Sequence, residues 1–297
     1  MKKILLSSLV ALSLFGTQAV ALEANASTKA VSASAISQAK KDAKAKSDDV
    51  KVVKEAVESV KLVGDVLVAL DQNKKDEAIK TLEKAIGKIE VVLSNPKAPA
   101  LIPLDSKVIV QHFIGSSEDA ANAVITSEAL LAKGKVQAAR KVVLGLVDEI
   151  DVATVNLPLA TYPVALKEAA KYLHDNKLNE AKRVLAATLN TFVNITAITP
   201  IGILEAETLV NVASKIAKSD KKLALQHLAQ AKEALKRAKV LGYTSSSDTS
   251  YKMLNDAIAA IEKEIKGKNE ATKLFDDLKE KLKEFKEKAL KTFKKQG

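Results

Sequence analysis

Three carboxylates lie close together near the middle of the chain, at Asp148, Glu149 and Asp151. The surrounding apolar spacing predicts the end of a helix, where Asp148 and Asp151 would share a face. Such a pair could act in acid–base chemistry or hold a cation. A helix C-terminus disfavours anions, so pairing of these carboxylates with Lys or Arg is the simpler interpretation. A hydrolase or lyase that uses both groups is the remotest alternative.

Two neighbouring segments contribute further candidate binding residues. The loop after the carboxylates contains Asn156 and Tyr162 together with two prolines, and His112 and Phe113 lie in an earlier insertion. Loops held stiff by proline on a helical scaffold are good places to present binding groups. We therefore predict that residues 101–113 pack near residues 151–163 and that any ligand pocket opens between these two segments.

The remaining chemistry-bearing residues form no recognisable catalytic or metal-binding pattern. His174 and His227 lie outside any HxxxH or HExxH spacing, and both are interpreted as ordinary surface or boundary residues. The chain has no nucleophile elbow and no glycine-rich phosphate loop. The sequence therefore predicts no catalytic residue, no metal and no cofactor.

The elements that position these residues are predicted from an internal repeat. Four segments align in one column, with steps of 60, 43 and 43 residues, on Ala78, Ala138, Ala181 and Ala224. Leu or Ile stands eight residues before each alanine, a polar turn lies between, and a small residue such as Gly145 stands seven after it. Apolar residues at i, i+4 and i+8 indicate one buried stripe per helix. Each unit is thus predicted to be a helical hairpin.

The fold class predicted from this repeat is all-α, an array of about four hairpins packed like tetratricopeptide repeats but with a period near 43 residues. Pro96, Pro158 and Pro200 are interpreted as stops of the second helices. A proline-rich insertion at residues 94–115 follows the first hairpin, and its second half alternates as a short strand or a distorted helical turn would. Successive hairpins are expected to stack in chain order.

Two extra helices are predicted after the fourth hairpin. Asp248 is a plausible N-cap for a helix to Lys266, and Gly267 ends it. The final helix, within residues 269–295, carries a narrow apolar seam of Phe275, Leu278, Leu282, Phe285, Ala289 and Phe293. This seam could dock on the body, form a coiled-coil contact, or bind an anionic membrane surface, since the helix is rich in lysine.

The N-terminus has the pattern of an export signal. Two lysines precede the apolar run 4–15, and Ala19-Val20-Ala21 offers a small-x-small cleavage site. We predict a signal peptide at residues 1–21, a flexible leader at 22–46, a hairpin domain at 47–245 and a C-terminal helical extension at 246–297. The mature protein is then expected in the periplasm.

Composition narrows the classes of partner. The chain has no cysteine, which excludes disulfides and thiol catalysis. Its net charge is +11, carried almost wholly by lysine, and arginine and aromatic residues are scarce. Nucleic-acid sites favour arginine and stacking aromatics, so no nucleic-acid partner is expected. A solvated Lys/Glu surface, or attraction to an acidic partner or anionic lipid, remains open.

The middle of the chain resembles a known family. The runs ALIPLDSKVIV, GKVQAARKVVLGLVDEIDV, NLPLATYP and LHDNKLNEAKRVL, in this order, resemble the YfdX family of exported bacterial helical proteins over about residues 45–240. The resemblance implies an all-α periplasmic protein without established enzymatic activity, linked in some members to stress responses. It transfers no site residue.

Together these observations predict a non-enzymatic periplasmic protein that binds or protects a protein client or a small ligand under stress, and that could form a homo-oligomer. The alternative is an envelope-associated assembly protein whose basic C-terminal helix binds an anionic membrane or a partner helix.

Overall fold

The protein is predominantly helical, as the sequence predicts, with one small sheet. The computed structural model describes residues 12–244, 249–267 and 271–294. In these ranges the elements follow in the order α1 (Leu12–Asp48), α2 (Lys54–Asp71), α3 (Lys75–Leu93), β1 (Leu101–Gln111), α4 (Ser117–Ala132), α5 (Val136–Val143), β2 (Glu149–Pro158), α6 (Tyr162–His174), α7 (Leu178–Leu189), β3 (Val193–Pro200), α8 (Ile201–Ile216), α9 (Lys221–Val240), α10 (Thr249–Lys266) and α11 (Thr272–Lys294).

Four helical hairpins lie where the repeat predicts them. Hairpin 1 is α2–α3, hairpin 2 is α4–α5, hairpin 3 is α6–α7 and hairpin 4 is α8–α9. Three of the turns contain a residue with positive φ: Asn73 at 56°, Gly134 at 69° and Asn176 at 60°. Glycine and asparagine adopt this left-handed conformation most readily, so they reverse the chain after the first helix of each pair.

A strand follows each of the first three hairpins, and this corrects our interpretation of two prolines. Pro158 and Pro200 end β2 and β3, whereas the preceding helices end earlier, at Val143 and Leu189. The strands form one sheet in the order β1-β2-β3. The strand alternative for the insertion is confirmed by β1, and its Pro103 is tolerated because β1 is an edge strand.

The chain divides into two compact units that take alternate hairpins. Among the described residues, one unit comprises residues 12–41, 110–150 and those from 198 to 294, and the other comprises residues 42–109 and 151–197. Hairpins 2 and 4 therefore belong to the first unit and hairpins 1 and 3 to the second. Within the second unit α3 packs against α6 and α2 against α7. The expectation that hairpins stack in chain order is wrong.

Each unit has its own hydrophobic core. The second unit buries the apolar stripes of hairpins 1 and 3, with Ile102 of β1 and Leu157 of β2. The first unit buries hairpin 4 against α10 and α11. The described part of the predicted C-terminal seam lies in this core, at Phe275, Leu278, Leu282 and Phe285. The side chains of Ala289 and Phe293, and the predicted cap Asp248, lie outside the described residues.

The small-residue column of the repeat holds for three hairpins and fails in hairpin 2. Ala85, Thr188 and Ala231 are buried, but Gly145 is exposed. The reason is that α5 has only 8 residues, so Gly145 falls beyond its end. The same hairpin exposes its anchor Ala138 and buries Ala139 instead. Hairpin 2 thus departs from the packing of the others.

One glycine is required by a close helix contact. A Cβ on Gly202, at the start of α8, would lie 2.7 Å from the backbone oxygen of Ala234 on α9. That distance is shorter than real Cβ contacts, so only glycine allows the two helices of hairpin 4 to approach this closely.

The predicted flexible leader is instead part of a long helix. Residues 22–46 lie inside α1, and Thr28, Ala35 and Ala43 along it are buried. Val31 packs against the core of the first unit. Small side chains lower the apparent amphipathicity of this segment while still allowing it to pack, which explains why periodicity did not reveal it. Residues 1–11 of the predicted signal peptide lie outside the described residues.

Candidate functional site

Asp148 is the centre of a buried polar cluster in the first unit. It is fully buried and lies just before β2, so the predicted helix end is wrong here. Its Oδ1 lies 2.8 Å from Nδ1 of His112 and accepts a hydrogen bond from the backbone N–H of Phe113 at 3.3 Å. Its backbone oxygen accepts from the N–H of Ile201 at 2.8 Å. Three of the predicted site residues, His112, Phe113 and Asp148, are therefore brought together.

Arg237 of α9 is the cation of this cluster. Its Nε donates to Oδ2 of Asp148 at 3.0 Å, and its Nη2 donates to Oε2 of Glu205 on α8. Burial alone would lower the pKa of Arg237, but the two carboxylates outweigh it and the pKa is raised. The prediction that a specific Lys or Arg pairs with Asp148 is confirmed.

Tyr243 closes the cluster from the segment after α9. Its hydroxyl donates to Oε2 of Glu149 at 2.6 Å and accepts from the backbone N–H of Asp148 at 2.9 Å. Burial, with the neighbouring Glu149, raises the pKa of Tyr243 far above its ordinary value. The phenol therefore stays protonated at any physiological pH and acts as a fixed hydrogen-bond donor.

The charges of the cluster are engaged with one another. Burying a charge without a partner costs several kcal/mol of folding free energy. Removing one partner of a buried pair therefore destabilises a protein by about 3–5 kcal/mol. His112, 36% exposed, is the most exposed member of the cluster. Across the described residues, no group of three or more His, Asp or Glu side chains is arranged to hold a metal ion. The cluster links α8 and α9 to the residue after β1, His112, and to the residue before β2, Asp148.

The other predicted site residues belong to the second unit and serve its packing. Asp151 is buried on β2. Asn156 donates from Nδ2 to the backbone oxygens of Thr154 and Val193, at 3.1 and 3.2 Å. Tyr162 opens α6 inside the core, its hydroxyl 3.4 Å from Oγ of Ser59, and burial raises its pKa to about 12.

The predicted neighbourhood of the two loops is confirmed within the second unit. β1 and β2 are adjacent strands, and the N–H of Leu159 donates to the oxygen of Ala100 at 2.9 Å. The ligand pocket expected between these segments stays a prediction. A cavity of about 300 Å³ lies elsewhere, in the first unit, between Lys232 and Glu233 of α9 and Tyr251 and Asn255 of α10.

Sequence reasoning missed Glu205, Arg237 and Tyr243. The chain has only three arginines in a background of lysine, and Arg237 alone of them is buried. Arginine suits a two-carboxylate site because its planar fork donates in two directions. The scarcity of arginine was therefore a usable signal.

His227 was interpreted as a surface or boundary residue, and this is corrected. Its side chain is 1% exposed on α9, with Nδ1 3.2 Å from Oγ1 of Thr28 on α1. Burial lowers the pKa of His227, with a small opposing effect of Asp220.

The comparisons with known proteins concern the middle of the chain. Residues 56–197 match the model of the YfdX protein family. This segment is similar to the YfdX family, as the resemblance of the sequence predicts. A solved structure of Salmonella Typhi YfdX is similar at 15% identity and a TM-score of 0.36, covering 52% of this chain and 95% of that one. No curated protein matches the chain.

The YfdX segment holds only part of the polar cluster. His112, Asp148 and Glu149 lie inside it, whereas Glu205, Arg237 and Tyr243 follow it. No helix within the described residues is long and apolar enough to cross a membrane.

Proposed function

We propose that this protein is a non-enzymatic binding protein of the periplasm that protects unfolded polypeptides under envelope stress. The export pattern at residues 1–21 supports the location, and the family resemblance supports the link to stress. The pairing of Asp148, Arg237 and Glu205 with one another favours a structural role for the polar cluster rather than a catalytic one.

The observation that carries the proposal is the exposed apolar character of the edge strands in the second unit. Ile109 of β1 and Val193 and Ile195 of β3 are exposed although they are large β-branched residues. Both strands lie at the edge of the sheet, with β2 between them. An edge strand presents unpaired backbone groups, and exposed apolar side chains beside them suit an extended polypeptide.

Suppression of aggregation tests this function. Purified protein is mixed with a reduced, unfolded model protein such as lysozyme, and light scattering is followed at neutral and mildly acidic pH. We expect the wild-type protein to suppress scattering and Ile195→Lys to lose most of that effect. The matched control is Val164→Lys, which changes a more exposed valine on the surface of α6 in the same unit.

If Ile195→Lys suppresses aggregation as well as the wild-type protein does, the edge strands are not the binding surface. No suppression by the wild-type protein would reject client protection altogether. The location is checked separately by mass spectrometry of the periplasmic fraction, where a mature N-terminus at Leu22 is expected.

A further inference from the structure

Hairpin 2 has an apolar outer face that the described part of the chain leaves uncovered. Helix α4 packs on α9 of hairpin 4, where the N–H of Ser117 donates to Glu233 at 2.7 Å. Ala120 of α4 and Ala139 of α5 are buried, and α4 and α5 pack on each other. The outer face of hairpin 2 is defined here by six exposed residues, three on α4 and three on α5: Ile125, Glu128, Ala132, Val136, Arg140 and Val143. At about 100° per residue, the three on each helix lie within about 60° of one another.

This apolar face is particular to hairpin 2. The repeat aligns Ile125, which is 61% exposed, with Asp65, Glu168 and Asn211 of the other hairpins. In the same alignment the exposed Val136 takes the place of Asp76, Asn179 and Lys222. The other three hairpins thus have polar residues at positions where hairpin 2 presents large apolar ones to solvent. Exposed apolar patches of this kind mark interaction sites.

The two helices of hairpin 2 carry opposite charge. The charged residues of α4 are all acidic: Glu118, Asp119 and Glu128. Between α4 and the end of α5 they are all basic: Lys133, Lys135, Arg140 and Lys141. Across the part of the chain that the structure describes, none of the four basic groups is within ion-pair distance of a carboxylate. A face with one acidic and one basic helix is complementary to a second copy of itself.

We infer that two copies of this chain associate through the outer faces of hairpin 2. A two-fold axis parallel to the hairpin places α4 of each copy over α5 of the other, whereas an axis across the hairpin places the acidic helices over each other. Such an interface is isologous, so every contact occurs twice. Opposite charges favour the first arrangement, and like charges disfavour the second.

The spacing of the outer face fits this arrangement residue by residue. Ile125 and Val143 each lie nine residues from the turn glycine Gly134, and Glu128 and Arg140 each lie six from it. Residues equally far from the turn lie at the same level in an antiparallel hairpin. Each Ile125 is therefore expected to lie over Val143 of the other copy, with Glu128 over Arg140.

The chain itself contains a precedent for this mode of pairing. In the second unit, α2 packs on α7 and α3 on α6, so the first helix of each hairpin contacts the second helix of the other. Those hairpins use their buried stripes, whereas hairpin 2 uses its outer face. The precedent shows that two hairpins of this repeat can pair with the proposed helix correspondence.

Cysteine cross-linking tests the arrangement directly, because the natural chain has no cysteine. Ile125→Cys and Val143→Cys are made as separate full-length variants, mixed, oxidised and analysed without reductant. We expect a disulfide-linked dimer in the mixture and at least several-fold less in either variant alone, since a disulfide needs Cα atoms within about 7 Å. Linking of Ile125→Cys alone, or none in the mixture, would overturn the proposal.

A charge exchange tests it in solution. By sedimentation velocity, Arg140→Glu is expected to weaken the dimer at least about tenfold through like-charge contact with Glu128. The double variant E128R/R140E should restore it, because both pairs re-form with reversed sign. Arg183→Glu, an exposed arginine in the same repeat column of hairpin 3, is the matched control and should leave the dimer intact.

A monomeric wild-type protein, or a dimer that Arg140→Glu leaves unchanged, would reject this interface. So would a double variant no better than the single one, and circular dichroism of each variant verifies that it has folded. Capture of a different partner by this face without a dimer would reject the second copy as occupant. The edge-strand variant Ile195→Lys should keep the dimer, so the two proposals fail independently.

Discussion

At the scale of single residues, the buried cluster around Asp148 shows how one arginine determines the environment of two carboxylates. Asp148 and Glu205 come from different parts of the chain, and Arg237 is the buried cation that pairs with both of them. Burying an ion pair contributes little stability by itself, but removing one partner is costly. The cluster therefore specifies which segments meet more than it adds to the free energy of folding.

Replacing Arg237 tests this reasoning. Arg237→Met should lower the free energy of unfolding by about 3–5 kcal/mol, because it leaves two buried carboxylates without their cation. Urea denaturation followed by circular dichroism measures the change. The control Arg183→Met alters an arginine whose side chain is 78% exposed, so it should change stability by less than about 0.5 kcal/mol. A loss below about 1 kcal/mol for Arg237→Met would contradict the structural role.

His227 makes the stability of the protein depend on pH. Burial lowers its pKa, so the folded protein binds fewer protons than the unfolded chain. Its contribution is complete above the unfolded pKa of about 6.5 and is lost as the pH falls from there through the folded pKa. Unfolding measured between neutral and mildly acidic pH should show this loss.

His227→Gln should flatten that part of the pH profile, because glutamine does not titrate. His174→Gln is the control, since His174 is exposed at the end of α6. An unchanged slope in His227→Gln would assign the pH dependence to other groups.

At the scale of elements, the length of a second helix decides whether the repeat's small residue is buried. Ala85 lies inside the long helix α3, and its backbone oxygen accepts a hydrogen bond from Ser59 of α2 at 2.9 Å. Gly145 lies beyond α5, where an added Cβ would meet only the oxygen of Val142 at 3.4 Å. A larger side chain in this repeat column is therefore expected to be harmful in hairpin 1 and harmless in hairpin 2.

Two matched substitutions measure this difference. Ala85→Leu should destabilise the protein by about 1–3 kcal/mol, because the extra atoms overpack the contact between α2 and α3. Gly145→Leu, which the repeat alone predicts to be equally harmful, should change stability by less than about 0.5 kcal/mol at its exposed position. Thermal unfolding compares them, and equal effects would restore the original alignment of hairpin 2.

The strands β2 and β3 are elements that the helical repeat did not predict. β2 and β3 contain Val, Ile and Thr at high density, as in VNITAITP of β3. Branching at Cβ favours strands over helices. The repeat pattern places these residues in the preceding helices, because it takes the next proline as the end of each helix.

At the scale of the whole molecule, the order of hairpins in the chain differs from their grouping in space. Hairpins 1 and 3 share one core, and hairpin 4 shares the other with α10 and α11. A strand leads out of each of the first three hairpins, so consecutive hairpins need not be neighbours. Residues 22–46, interpreted from their composition as a flexible leader, lie in the long helix α1.

The sequence by itself determined the local structure. The positions of the four hairpins, their turns at Asn73, Gly134 and Asn176, and the end of α10 before Gly267 follow from apolar spacing and backbone preference. The resemblance to the YfdX family follows from the order of four short sequence segments in the middle of the chain. These features depend on residues close together in the chain, which sequence patterns report directly.

Only the tertiary structure decided which distant residues meet. Asp148 pairs with Arg237 of α9, 89 positions later, and hairpin 1 packs on hairpin 3. Many pairings of four similar apolar stripes would satisfy the same periodicity. Burial of complementary surfaces and pairing of buried charges select one of them, and both are properties of the folded chain rather than of any segment.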